Sequence, residues 1–283
     1  ASGSNFTHLI KNPQEDLIFQ FWADGFFSKS MVLNIIPKPI IKSFDTHIDY
    51  PTYTGLKDET VRNKGNIRVP EGTKINWFFE TENAKKLFFK IKQKEVVQQK
   101  GKDRFEFQKT AYQSSKYGLF VQNNNLKGDS IFYQLEVIED AFPSIKLHEG
   151  IDSNDHYLRF FEGLIQDDYG LQSLTFNHRT IGNEVGEWQI TELSINKNNQ
   201  QGFYHYWNLS EASIGAGERV EYFFEVWDND AVSGSKSSRS KTMVHKTPTK
   251  EEREQQSENN NESLKTDIEN VLKLAQEVQQ ELE

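Results

Sequence analysis

RVEYFFEVWDNDAVSGSKSSRS, Arg219 to Ser240, is the stretch whose reading decides the fold. Val220, Tyr222, Phe224 and Val226 alternate with Glu221, Phe223, Glu225 and Trp227, the period of two expected of a strand with one buried face. Asp228-Asn229-Asp230 halts the strand, a loop rich in Gly and Ser follows, and SRSKTMV, Ser238 to Val244, reads as the returning strand. The unit reads as a hairpin at the edge of a β-sandwich, not as a catalytic motif. Two earlier stretches repeat its grammar. SIFYQLEVIED, Ser130 to Asp140, sets Ile131, Tyr133, Leu135 and Val137 at the same alternation and also ends in acids. DLIFQFWADGFFSKSMVLNIIPKP, Asp16 to Pro39, gives an aromatic strand, an Asp-Gly turn and SKSMVLNI beside the later SRSKTMV. Three similar units predict tandem copies of one module.

Working outward, residues 1–39 hold only the closing strands of a module, Leu17 to Ala23 and Ser30 to Ile36. A lone hairpin is marginal in water. Its partner strands therefore either precede this sequence or belong to the next module, and Pro37 and Pro39 mark a boundary. Residues 40–144 read as a complete sandwich. Ile40 to Ile48 opens it, Val69-Pro70-Glu71-Gly72-Thr73 is a turn, and Ile75, Trp77 and Phe79 then face one way, opposite Asn76, Phe78 and Glu80. Trp77 is the candidate core tryptophan. Further strands are expected at Leu87 to Val97, Arg104 to Thr110 and Tyr117 to Gln122. Residues 145–248 form the next sandwich, with strands from His156 to Gly163 and onward and a turn at Asp167, Asp168 and Gly170. Six or seven short strands per unit, with no long helical pattern between them, predict antiparallel all-β sandwiches.

From Thr249 the pattern changes to an acidic segment, 249–283, with four Lys or Arg against ten Asp or Glu and neither aromatic residue nor Gly. Leu264, Ile268, Val271, Ala275, Val278 and Leu282 are spaced 4, 3, 4, 3, 4, the a/d pattern of a coiled-coil seam. A helix of so few heptads is expected to need a partner helix or a longer parent chain.

Composition narrows the functional classes. A net charge of -9 without a basic stripe argues against nucleic-acid binding. The absence of Cys removes disulfides, thiolate chemistry and most structural zinc sites. No run of about 18 apolar residues exists to span a membrane. The opening ASGSNF lacks the charged and apolar regions of an intact secretory signal, and a sequence starting inside a repeat is expected to be part of a longer chain.

Candidate chemistry is sparse. His8, His47, His148, His156, His178, His205 and His245 show no metal-binding spacing, and Gly215 and Gly217 precede a strand and so shape a turn, not a phosphate loop. The strongest ligand candidate is an acid cluster. Asp228, Asn229 and Asp230, with Asp167 and Asp168 from another loop, carry the oxygens that calcium requires, although Asp and Asn are also ordinary turn residues. No other cofactor is expected. Trp188, Trp207 and Trp227 are candidates for a sugar platform, or for packing against neighbouring strands.

With the modules laid out, YPTYTGLKDETVRNKGNIRVPEGTKINWFF, QDDYGLQSLTF and VEYFFEVWDNDAVSGSKSSRS, followed by a helical region beginning TPTKEE, resemble an uncharacterised family of large bacterial cell-envelope proteins. The resemblance covers residues 40–283. It implies membrane helices elsewhere in the parent, then immunoglobulin-like (fibronectin-III-like) domains, then a coiled-coil region, and it assigns no catalytic residue. The expected protein is therefore not an enzyme. It is a structural or interaction segment in the periplasm or cell envelope that meets an envelope protein partner, the alternative being a glycan- or peptidoglycan-binding module.

Overall fold

The computed structural model describes residues 7–11, 13, 15–151, 157–182, 184–212 and 214–281, without the side chains of residues 94 and 276–281. The chain is mostly β-sheet, ends in one long helix, and divides into two compact units, Ala1–Glu139 and Asp140–Glu283.

In the first unit, Leu17–Phe19 (β1), Trp22–Ala23 (β2), Phe26–Phe27 (β3) and Met31–Leu33 (β4) form nested hairpin ladders, β1 against β4 and β2 against β3. The expected Asp-Gly turn sits between β2 and β3 with φ of 47° at Asp24 and 84° at Gly25, the pair of positive angles a two-residue hairpin of matching twist requires. Among the described residues no ladder joins these strands to the sheets that follow.

Ten strands follow: Ile40–Asp49 (β5), Glu59–Arg62 (β6), Ile67–Pro70 (β7), Thr73–Glu82 (β8), Lys86–Lys90 (β9), Lys94–Val96 (β10), Gln98–Gln99 (β11), Arg104–Ala111 (β12), Ser115–Gln122 (β13) and Lys127–Ile138 (β14). One sheet has the order β11-β12-β8-β5-β6, the other β10-β9-β13-β14-β7, and only the β14–β7 pairing is parallel. The alternation on β8 drives the packing: Ile75, Trp77 and Phe79 are fully buried while Phe78 faces out. Trp77 meets Phe89 at 4.9 Å and Tyr117 at 5.7 Å across the sandwich, so the two sheets share one core. The single strand expected over Leu87 to Val97 is two, β9 and β10. After β9 the chain folds back on itself as β10 and then leaves for the other sheet as β11.

The second unit contains Ser144–Ile151 (β15), Leu158–Gln166 (β16), Leu171–Ile181 (β17), Gln189–Leu193 (β18), Gln200–Asn208 (β19), Arg219–Asp228 (β20), Ser237–Arg239 (β21) and Met243–Lys246 (β22). Three strands, β15-β16-β19, face a sheet ordered β18-β17-β20-β21, in which β22 continues the pairing along β20. The core is aromatic: Phe161 to Phe224 is 5.0 Å and Phe176 to Trp207 is 4.9 Å. β20 is the strand of Arg219 to Ser240, and its place differs from expectation. It pairs with β17 on one side and with β21 and β22 on the other, so it is an interior strand and only its returning strands lie at the edge. Both of its faces are covered, because Trp188 and the Arg239 guanidinium, each 4.8 Å away, close over outward-facing Phe223.

Helix Lys250–Glu281 (α1) starts at a reciprocal capping box. The Glu252 N–H donates to Thr249 Oγ1 at 3.1 Å and the Thr249 N–H donates to Glu252 Oε2 at 2.8 Å. The first 14 residues of the helix, Lys250 to Ser263, contain no apolar side chain. Leu264, Ile268 and Val271 of the expected seam are 59, 59 and 64% exposed, and Leu272, Leu274 and Ala275 beside them are exposed too. The Val278 side chain and Leu282 lie outside the described residues.

Candidate functional site

Asp228, Asn229 and Asp230 end β20, and the loop beyond them brings Lys236 back over the carboxylates. Lys236 Nζ lies 3.1 Å from Asp228 Oδ2 and 2.9 Å from Asp230 Oδ2, and it donates a third bond to Asp140 Oδ2. The remaining oxygens of Asp228 and Asp230 are engaged by backbone. Asp228 Oδ1 accepts the N–H of Asp230 at 3.2 Å and of Lys236 at 2.8 Å, and Asp230 Oδ1 accepts those of Val232 at 2.8 Å and Ser233 at 3.1 Å. Asp167 works as a turn residue, its Oδ2 accepting the N–H groups of Tyr169 at 3.0 Å and Gly170 at 2.8 Å. Asp168 accepts the Ala141 N–H at 3.5 Å. Asn229 donates its own N–H to the Gly170 carbonyl at 3.1 Å, and Gly170 admits this approach because a Cβ there would lie 2.6 Å from Asn229 Nδ2.

The structure thus gathers all five predicted acid-cluster residues at one end of the second unit and adds two that sequence reasoning left out, Asp140 and Lys236. The side chains of Asp140, Asp228 and Asp230 are at most 3% exposed, and that of Lys236 is 18% exposed. Burial pushes the Asp140 carboxyl up to about 6 against the opposing pull of Lys236. Burial likewise raises Asp167. For Asp230 burial acts upward too, but Lys236 and the two loop N–H groups hold it below the usual carboxylate range. Burial would lower Lys236, and its bonds to Asp140, Asp230 and Asp228 hold it well above its ordinary value instead. Calcium needs six to eight oxygen ligands. Here an ammonium occupies the point where three carboxylates converge, and among the described residues no group of three or more His, Asp or Glu is arranged to hold a metal ion.

The three candidate platform tryptophans are not brought into a row. Trp207 is buried in the core on β19, Trp188 lies on the outer face of the opposite sheet with the Arg179 guanidinium 4.4 Å over its ring, and Trp227 is half-buried at the far end of β20. Exposed rings occur elsewhere. Phe160 on β16 and Tyr204 and Tyr206 on β19 point outward from the three-stranded sheet, beside Glu162 and His148. Phe160 and Tyr206 are cross-strand partners with centroids 5.4 Å apart and planes at 52°, and the Tyr204 hydroxyl donates to Glu162 Oε1 at 3.1 Å. The sequence signal was the unbroken aromatic run FYHYW from Phe203 to Trp207, which makes both faces of β19 aromatic.

Three of the histidines are packed inside the second unit. His178 and His205 stack in the second core against Phe176 at 5.6 and 4.7 Å. His245 Nδ1 lies 3.0 Å from Arg159 Nη2 in a buried polar cluster where Arg159 Nε is 3.2 Å from Glu149 Oε1 and Tyr222 donates its hydroxyl to the same oxygen at 2.5 Å. Burial lowers all three imidazoles, with Arg159 adding to the effect on His245. His156 lies outside the described residues. Gly215 and Gly217 do shape the turn into β20, with Gly217 bonded to the Pro248 carbonyl at 3.3 Å.

No family model matches the chain, and no curated protein matches it. Several solved structures are similar in part. A chain from Bacteroides uniformis described as a "putative carbohydrate binding protein" is 11% identical, with a TM-score of 0.27, over 58% of this chain and 89% of that one. The human OSCAR ligand-binding domain is 11% identical, with a TM-score of 0.25, over 74% and 98%. A chicken TCR is 10% identical, with a TM-score of 0.24, over 52% and 89%. Overlaps of this size carry no argument about what this chain does.

Proposed function

We propose that the chain is a non-catalytic interaction segment of a larger bacterial cell-envelope protein, made of tandem immunoglobulin-like sandwiches whose terminal helix joins a coiled coil. The strand orders support the modular part. The first unit packs two five-stranded sheets around one core, and the second has the three-on-four order of a fibronectin-III-like sandwich. The envelope location rests on the resemblance of residues 40–283 alone.

The observation that carries the interaction reading is the stripe Leu264, Ile268 and Val271, at heptad spacing and exposed on α1. Its test is a photoreactive residue placed at Leu272 in the full-length parent in intact envelopes. A cross-link to a helical segment that disappears with Ile268→Asp and Val271→Asp is the expected result. An adduct indifferent to those substitutions, or none at all, refutes it.

The second reading, glycan binding, is favoured by the exposed Phe160, Tyr204 and Tyr206 rings beside Glu162. Protein contact ranks above it because the rings are tilted instead of coplanar, Trp77 and Trp207 are buried, and strand edges are free. Retention on peptidoglycan that Tyr204→Ala and Tyr206→Ala abolish would reverse that order.

A further inference from the structure

A sheet edge presents unpaired N–H and C=O groups, and proteins guard such edges with shortness, charge or Pro. Most edges in this chain are guarded. β6 carries Glu59 and Arg62, β7 ends in Pro70, β11 has two residues, β15 carries Lys146 and Glu149, and β18 carries Glu192. Among the described strands the long edge that lacks every such guard is β19. It is nine residues long, pairs with β16 alone among the described strands, and reads QQGFYHYWN, without Lys, Arg, Asp, Glu or Pro. Burial and the neighbouring His178 lower the pKa of its one imidazole, His205.

The sequence of this edge is complementary to itself. When two antiparallel copies meet about a two-fold axis at Tyr204, the midpoint of the strand, all nine residues pair. Gly202 then faces the second copy's Tyr206 and the reverse, so each ring covers a glycine that leaves room for it, a pairing that stabilises strand glycines. Tyr204 meets Tyr204 on the axis, the polar ends Gln200 and Asn208 meet each other, and no like charges are opposed. Antiparallel pairing about such an axis keeps outward side chains on one face, so the exposed Phe160, Tyr204 and Tyr206 of both copies become one aromatic surface. Isologous contacts need this self-complementarity.

We infer that β19 is a dimerisation edge, at which two copies of this chain join their three-stranded sheets into one continuous six-stranded sheet centred on Tyr204. The inference goes beyond the proposed function and is independent of α1. Tyr204 is 78% exposed, so its substitution leaves the folded monomer in place. Sedimentation equilibrium over a hundredfold range of concentration is expected to show a reversible dimer, with amide exchange across 200–208 slowed as the dimer fills. Tyr204→Lys and Tyr204→Glu each set like charges face to face and are expected to be monomeric, while their equimolar mixture regains the dimer. A parent that stays monomeric overturns the inference, as does a dimer that survives Tyr204→Lys, since that dimer would form through α1 or another face. A mixture that remains monomeric overturns the register on Tyr204.

Discussion

Replacing Lys236 by Met keeps most of the aliphatic stem and removes the one ammonium that joins Asp140, Asp228 and Asp230. The three carboxylates are then buried and uncompensated. Breaking a buried ion pair by removing one partner costs about 3–5 kcal/mol. With Lys236 only 18% exposed the screening is slight, and the upper part of that range is expected. For a unit of this size that is a fall of about 10–15 °C in the midpoint of the second unit's transition. The first unit should melt unchanged, so calorimetry or urea unfolding must resolve two transitions. The pH dependence fixes the cause. In the variant the stranded carboxylates have raised folded pKa values, so the folded state takes up protons before the unfolded chain does, and stability is regained as pH falls from 7 toward 4. The gap between variant and parent therefore narrows in acid. Adding Asp140→Asn to the variant should cost less than the two single changes together, because one stranded charge is removed. Calcium is expected to leave the parent's midpoint unchanged and, if it acts at all, to raise that of the variant, where oxygens have been released. A loss below about 1 kcal/mol, or a gap independent of pH, would refute the account of Lys236 as the cluster's cation.

Trp77→Ala empties the centre of the first core and should cost about 3–5 kcal/mol, seen in denaturant unfolding of the first unit while the second is unaffected. His178, His205 and His245 have lowered folded pKa values, so the stability they contribute is present above the unfolded value of about 6.5 and is lost as pH falls below it. Thermal melts should show the second unit weakening from pH 6.5 downward. Asp140, raised to about 6, acts in the opposite sense from there on, so the slope should steepen in an Asp140→Asn variant. Ile268→Asp with Val271→Asp should leave both sandwich transitions in place and remove only helix-dependent association, measured by cross-linking.

The alternation on β8 and β20 was legible because period two reports which face is buried, and the structure buries Ile75, Trp77, Phe79, Val220, Tyr222, Phe224 and Val226 as that pattern requires. The position of β20 inside its sheet was not. Sheet neighbours are chosen by long-range pairing, and the partners of β20 on β17 lie 38 to 57 residues upstream. The break within Leu87 to Val97 was hidden for a related reason, since local periodicity carries no mark of a chain turning back on the strand it has just made. The acid cluster was half legible. Asp228 to Asp230 and Asp167 to Asp168 stand out as turn acids, but Asp140 and Lys236 are 96 residues apart and meet only because β15 and β21 start at the same end of the unit. On β19 aromatic residues occupy both faces, so alternation gave no phase, and the exposed rings proved to be Tyr204 and Tyr206 while Trp207 is buried.

The apolar half of α1 begins only at Leu264, after 14 polar, exposed residues. At 1.5 Å per residue those residues make a rod of about 20 Å. Anything that grips the stripe does so at that remove along the helix axis from the capping box at Thr249. A pull along α1 is passed through the chain to Met243–Lys246, which four ladder pairs hold to β20. That short strand is therefore expected to open before the aromatic core behind it is disturbed.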